Sequence, residues 1–185
     1  MTSLLRCLLL CLLLPFASES VGLGQVLRVR TATTRAQPQL SLNTLSVMSS
    51  PSTVTFALNS GLSTAGSAPI SITTSWLLGV ASTVRLYGSF SSSAALVSTG
   101  ADGTVIPASS VLGQCTTGLP VNLTPFTQTG PFSGGNSLLI FQQSATISLL
   151  VSRTDQLSLA INLASLPQLP AGTYSGTLTL QAQAM

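Results

Sequence analysis

The chain has 185 residues, of which only 5% are charged and 45% are hydrophobic, and it contains neither histidine nor lysine. This length fits one domain with a sizeable buried core, whereas disorder would require low hydrophobicity and high net charge. The missing residue types exclude Ser-His-Asp and Cys-His catalysis, the Ser-Lys dyad, Schiff-base chemistry and histidine-ligated metal sites.

Residues 1–20 have the pattern of a secretory signal peptide. Arg6 precedes an apolar block at residues 7–14, and small and polar residues follow at 17–20. These are the charged, apolar and cleavage regions of such a peptide. The apolar block is much shorter than the ~20 residues that a membrane-spanning helix needs. We therefore expect a secreted, periplasmic or cell-surface protein whose mature form has no membrane span.

Removal of residues 1–20 would leave Cys115 as the sole cysteine and five arginines against two aspartates, a net charge of +3. No intramolecular disulfide could then form, and we expect Cys115 to be a small buried residue. Arg28, Arg30 and Arg35 lie close together, which predicts either a solvated strand edge or contact with an anionic surface polymer. Binding to nucleic acid is not expected of an exported chain.

The first predicted strand is an N-terminal extension at residues 21–36. One face of it carries apolar residues and a threonine at odd-numbered positions, as is typical of a half-buried strand; these residues are Val21, Leu23, Leu27, Val29 and Thr31. Residues 34–39 contain Pro38 and interrupt the alternation like a hinge. We therefore divide the chain into a signal peptide (1–20), the extension (21–36) and a β-sandwich domain (37–185).

Beyond the hinge, short alternating stretches recur between Gly, Pro, Ser and Asn residues, which predicts half-buried antiparallel strands. They lie at residues 54–58, 70–76, 84–90, 138–142, 147–151, 157–163 and 174–184. Turns dominate residues 91–137, where short edge strands are expected near Val105 and at 119–123. About seven or eight strands and no helix after the signal peptide predict an all-β fold, an antiparallel immunoglobulin-like or pilin-like sandwich, with a small closed barrel as the alternative.

Trp76 and the two aspartates are the side chains most relevant to a site. Trp76 alternates with Ile70 and Ile72, so we expect it in the core rather than against a sugar. Asp102 precedes a glycine, and Asp155 follows Arg153 closely enough to pair with it; both aspartates are expected in turns. We therefore predict no catalytic residue, no cofactor and no metal ion, and a protein that is not an enzyme.

Residues 169–180 have the sequence LPAGTYSGTLTL. They resemble the last strand of spore coat protein U-type and chaperone–usher pilin-like domains, in which a tyrosine bounded by Pro and Gly opens an alternating strand. The chain departs from these families in lacking paired cysteines in the mature part and a penultimate aromatic residue. The resemblance implies a β-sandwich subunit that a strand from a neighbour completes.

Two functions follow as hypotheses. The first is an exported structural or surface subunit, pilus-like or coat-like, that associates with itself or with other envelope proteins by β-strand addition of residues 21–36. An open sheet edge offers unpaired amides that such a strand can fill. The alternative is that this segment pairs within its own sheet. The second function is a secreted binding module that recognises a glycan or a surface polymer.

Overall fold

The structure, a computed structural model, describes residues 25–33, 44–58, 61–79, 81–100, 102–131, 134–145, 149–166 and 168–185. These residues form thirteen β-strands and one turn of 3-10 helix (Ala108–Ser110). None of them belongs to a helix that could cross a lipid bilayer. In chain order the strands are β1 (Gln25–Thr33), β2 (Thr44–Ser50), β3 (Thr53–Phe56), β4 (Ser63–Ala65), β5 (Ile70–Leu77), β6 (Thr83–Ser89), β7 (Ala94–Ser98), β8 (Val105–Pro107), β9 (Val111–Cys115), β10 (Thr124–Pro125), β11 (Ser137–Ser144), β12 (Val151–Asn162) and β13 (Tyr174–Ala184).

The strands form two sheets around one hydrophobic core, so the predicted all-β sandwich is confirmed. Sheet A has the order β11-β6-β13-β1-β3, with β7 also paired to β13 and β8 paired to β7. Sheet B has the order β10-β9-β12-β5-β2, with β4 paired to β12. Among the described strand pairs, β1 and β13 alone run parallel. The strands are more numerous than the seven or eight that the sequence predicts, because several short strands add to the long ones.

Period-two alternation of burial is clearest in β5. In β5 every second residue is buried, from Ile70 to Trp76. Trp76 is 1% exposed and stacks on Phe141 of the opposite sheet with ring centroids 5.9 Å apart. The prediction that Trp76 fills the core is therefore confirmed.

The last strand, β13, lies in the interior of sheet A and confirms the strand predicted at residues 174–184. Its inward face buries Tyr174, Leu178 and Leu180. The Tyr174 hydroxyl donates a 3.0 Å hydrogen bond to the Pro170 carbonyl, like the tyrosine corner of immunoglobulin-like sandwiches. Gly176 lies on the same face, where a Cβ atom would collide with the carbonyl oxygen of Ala95. Glycine at this position therefore allows β7 to approach β13 closely.

The expected turn at Asp155 is wrong. Asp155 lies within β12, opposite Ile72 of β5, and its side chain is fully buried. It is in phase with Leu157 on the inward face of the strand. A charged residue at an inward position interrupts the apolar alternation. The sequence of this one long strand therefore resembles that of two strands separated by a turn. The predicted turn at Asp102 is confirmed, because Gly103 has φ +63 and the Asp102 carboxylate accepts a hydrogen bond from Thr104.

Two other predicted strands need correction. Residues 119–123 form no strand, and Leu119, Val121 and Leu123 are exposed in a loop. The Leu119 amide donates a 2.6 Å hydrogen bond to the Ile140 carbonyl of β11, which anchors this loop. In the predicted strand 147–151, residues 149 and 150 precede β12 and are exposed, while 147 lies outside the described residues.

Candidate functional site

The segment predicted for strand addition lies inside sheet A. Strand β1 pairs in parallel with β13 over eight residue pairs, from Val26 with Ser175 to Thr33 with Ala182. On its other side β1 pairs antiparallel with β3, and the Val29 amide donates to the Ser52 carbonyl at 2.8 Å. Of the two alternatives for this segment, the structure therefore has pairing within its own sheet.

The five residues predicted to carry strand addition have different surroundings. Leu27 and Val29 are 0% and 7% exposed and belong to the core. Thr31, on the same side of the strand, is exposed. Val21 and Leu23 lie outside the described residues. Within the described part of the segment, two side chains thus anchor β1 to the sandwich.

The outward side of β1 carries Arg28 and Arg30, both exposed. Their partners in the register are Thr177 and Thr179 of β13, which are polar and half-buried. β13 pairs with β1 at both arginines, whereas the register with β3 ends at Arg28. Arg28 therefore projects from between two paired strands, and Arg30 lies beyond the last residue pair of β1 and β3. Arg35, the third arginine of the predicted basic segment, lies outside the described residues.

A further arginine, Arg85 of β6, projects from the same side of sheet A. Its register partners are Gln183 of β13 and Gln142 of β11. Arg85 is half-buried, and its Nε atom has no hydrogen-bond acceptor among the described residues. We call the outward side of β3, β1, β13 and β6, with Arg28, Arg30 and Arg85, the arginine face. The alternation in residues 84–90 places Arg85 opposite the apolar side, but only the sheet order brings it near β1.

A groove of about 470 Å³ opens at the Arg28 end of the arginine face. It lies over the paired strands β1 and β13, and Thr99 and Thr173 also line it. Six of its lining residues are Val26, Arg28, Thr99, Thr173, Ser175 and Thr177. The walls thus offer one guanidinium and several hydroxyl groups, and the volume falls within the usual range for small-ligand sites.

Asp102 lies in the loop that follows Thr99. It is exposed, and hydrogen bonds from the hydroxyls of Ser98 and Thr104 lower the pKa of its carboxyl group. A carboxylate stabilised in this way stays ionised at neutral pH. Asp102 therefore places a negative charge near the groove.

The second aspartate belongs to an ion pair in which Asp155 is buried and Arg153 is half-buried. Arg153 Nη2 and Nε lie 2.8 Å from Asp155 Oδ1 and Oδ2, and the Thr117 hydroxyl donates to Oδ1 at 3.0 Å. The guanidinium also lies over the Phe141 ring, 4.9 Å from its centroid. The hydrogen bonds to Asp155 raise the pKa of Arg153, mainly because they favour its charged form. The predicted pairing of these two residues is confirmed, although it is part of the core.

Cys115 lies close to this ion pair. Its side chain is buried, as predicted, and burial raises the pKa of the thiol to about 12, with the negative charge of Asp155 as a second cause. The protonated thiol is a weak nucleophile. Within the described residues no group of three or more Cys, Asp or Glu side chains could hold a metal ion.

The whole sequence was also compared with known proteins. No protein-family model matches the chain, and no curated protein matches it.

Proposed function

We propose that the protein is an exported, non-enzymatic structural subunit that self-associates by exchanging β1 between copies. The position of β1 supports this proposal most strongly. Without its own β1, a copy would leave the backbone groups of β3 and β13 unpaired and would uncover the core beneath Leu27 and Val29. The β1 strand of a second copy would satisfy the same hydrogen bonds and fill the same space.

The connection after β1 has sufficient length for this exchange. Residues 34–43, between β1 and β2, can span up to ~35 Å when extended. That reach exceeds the width of several strands at ~4.8 Å each. Since each copy donates and receives an identical strand, the pairing that a copy gives up within itself is restored between copies. The resemblance of residues 169–180 to the last strand of coat and pilin-like domains adds support.

A disulfide trap tests the proposal in the chain without residues 1–20. Val26 and Ser175 are register partners on the outward side of β1 and β13. Val26→Cys and Ser175→Cys, combined with Cys115→Ala, place two thiols within bridging distance. If β1 is exchanged, oxidation of concentrated protein links copies covalently, and a non-reducing denaturing gel resolves a ladder of dimers and larger species.

The matched control uses a register pair that does not involve β1. Ser75 and Ser152 face each other on β5 and β12 with their hydroxyl oxygens 3.0 Å apart, so the corresponding cysteine pair should close within one chain. If the bridge between positions 26 and 175 closes within single chains at every protein concentration, the exchange of β1 is contradicted.

The arginine face supports a second candidate function, a secreted binding module for a glycan or surface polymer. Three arginines on one broad polar face form a suitable electrostatic footprint for an anionic polymer. Substitution of these arginines separates the two functions, because it should reduce polymer binding and leave the disulfide ladder intact.

A further inference from the structure

We infer that the arginine face binds an extended polysaccharide with carboxylate groups, which Arg28, Arg30 and Arg85 contact. This inference rests on the second candidate function and specifies its ligand. It is independent of strand exchange, because a β1 strand from a neighbour in the same register would place Arg28 and Arg30 at the same positions.

The distribution of charge is the first argument. Only 5% of the residues are charged, yet every described arginine except Arg153 projects from this one face. Arg153 is paired with Asp155, whereas Arg28, Arg30 and Arg85 form no ion pair with any described residue. Clustered like charges repel one another, so they destabilise the folded chain slightly. An anionic partner would offset this repulsion.

The spacing of the arginines points to a long ligand. Arg28 and Arg30 are two residues apart on β1, or roughly 7 Å at strand geometry. Arg85 lies two strands away from β1, and its partner Gln183 is four residues beyond the partner of Arg30 along β13. At ~3.3 Å per residue and ~4.8 Å per strand, Arg85 is roughly 16 Å from Arg30. The three cations therefore follow a diagonal across the sheet, which suits an extended polymer.

The residues around the arginines suit sugars. Thr53 on β3, Thr177 and Thr179 on β13, and Gln183 supply hydroxyl and amide groups. Such groups donate and accept hydrogen bonds as sugar hydroxyls do. The planar guanidinium can bind a carboxylate through two parallel hydrogen bonds. Arginine and neutral polar side chains together therefore match a polymer of uronic acids.

The same face lacks what single-stranded nucleic acid requires. Bases bind to proteins largely by stacking on exposed aromatic rings. Tyr87 is the aromatic side chain at an outward position among the described strands of this face, and it is only 8% exposed. The groove beside Arg28, with its hydroxyl groups, offers space for a sugar ring rather than a stacking surface.

Polygalacturonate is the probe, and its methyl-esterified form, which has the same backbone without free carboxylates, is the matched ligand control. Binding to the chain without residues 1–20 is measured by biolayer interferometry at several salt concentrations. We expect binding to polygalacturonate alone, with affinity that falls as salt rises. Arg28→Gln, Arg30→Gln and Arg85→Gln should each weaken binding about tenfold, as expected for the loss of one charge-assisted contact.

Two variants separate a specific site from net charge. The first combines Arg28→Gln and Arg30→Gln with Ser46→Arg and Met48→Arg, which moves two charges to exposed positions on β2 of sheet B. It should bind as weakly as the double glutamine variant. The second, Asp102→Asn, removes the negative charge near the groove and should strengthen binding. Thermal unfolding of each variant verifies that it is folded.

The possible results distinguish a failure of this inference from a failure of the second candidate function on which it rests. Equal binding to the esterified polymer, or full binding by the relocated-charge variant, contradicts the arginine face as a carboxylate site. Tighter binding to a sulfated dextran or a DNA oligonucleotide of equal charge overturns the ligand class and leaves a polymer-binding module. Absence of binding to any of these polymers overturns both the inference and the second candidate function.

Discussion

Asp155 and Arg153 form an ion pair that lies against the aromatic ring of Phe141. The Asp155 side chain is 0% exposed and that of Arg153 is 28% exposed, so solvent reaches only one partner. A buried carboxylate without its counter-ion is strongly unfavourable, and a cation over an aromatic ring without its carboxylate loses most of its hydrogen bonds. The pair therefore stabilises the junction between β12 and the Thr117 loop.

We predict that Asp155→Asn lowers the free energy of unfolding by about 3 kcal/mol, because it leaves the Arg153 guanidinium opposite a neutral amide. Urea denaturation followed by fluorescence measures the change. Asp102→Asn is the matched control, since Asp102 is exposed in a turn and the same substitution there should cost much less stability. Equal losses in the two variants would show that the ion pair contributes nothing beyond an ordinary aspartate.

Cys115 should make the folded state sensitive to alkaline pH. Its thiol has a pKa of about 12 when folded, against an ordinary value of 9.0. Between these two values the unfolded chain binds fewer protons than the folded chain, so stability is complete below pH 9 and falls as the pH rises. The loss from this one group approaches ~1.4 kcal/mol per pH unit.

Cys115→Ala removes this dependence, and urea midpoints at pH 7.5 and pH 10.5 test it. The variant loses packing at both pH values, but only the wild type carries the additional thiol penalty at pH 10.5. The difference in stability between the two proteins should therefore shrink by up to about 2 kcal/mol at the higher pH. A difference that stays constant contradicts the raised pKa.

At the scale of elements, the approach of β7 to β13 depends on a missing side chain. A Cβ atom at Gly176 would overlap the backbone of Ala95, which cannot rotate away as a flexible side chain could. We predict that Gly176→Ala destabilises the protein by more than about 2 kcal/mol, because it must separate two paired strands. Thermal unfolding by circular dichroism measures the shift in midpoint.

Gly79→Ala is the control for that substitution. Among the described residues, an added Cβ atom at Gly79 meets nothing within 4 Å, and this glycine has no positive φ. Its effect should be within about 0.5 kcal/mol, since replacing such a glycine mainly restricts the unfolded chain. A Gly176→Ala protein as stable as Gly79→Ala would mean that β7 does not press against β13.

The strands that the sequence predicts well are those with one clean apolar face, such as β5, β6 and β13. The sequence does not indicate β9 because Gly113 resembles a turn residue, although it is required by packing: a Cβ atom there would lie 2.5 Å from a Leu138 methyl group. It does not indicate β2 because only Val47 in that strand is buried. Conversely, residues 119–123 alternate like a strand but make only isolated backbone hydrogen bonds to β9 and β11, with no strand register among the described residues. Alternation predicts a strand only where a partner exists.

At the scale of the whole molecule, the sequence predicts which side of each strand is polar but not which strands are neighbours. The outward orientation of Arg28 and Arg30 follows from Leu27 and Val29 between and beside them. Their proximity to Arg85 follows only from the order β6-β13-β1, which joins segments far apart in the chain. The arginine face therefore depends on the order of the strands in sheet A, and it could not be predicted from any local pattern in the sequence.

The parallel pairing of β1 with β13 also determines when sheet A can close. Ribosomes synthesise β1 first among the described strands and β13 last, and β13 supplies the partner for β1, β6 and β7. A nascent chain that has not yet passed Ala184 can therefore pair β1 with β3, but this pair has no link to the other described strands of sheet A until β13 is added. Sheet A can therefore be completed only after β13 has left the ribosome.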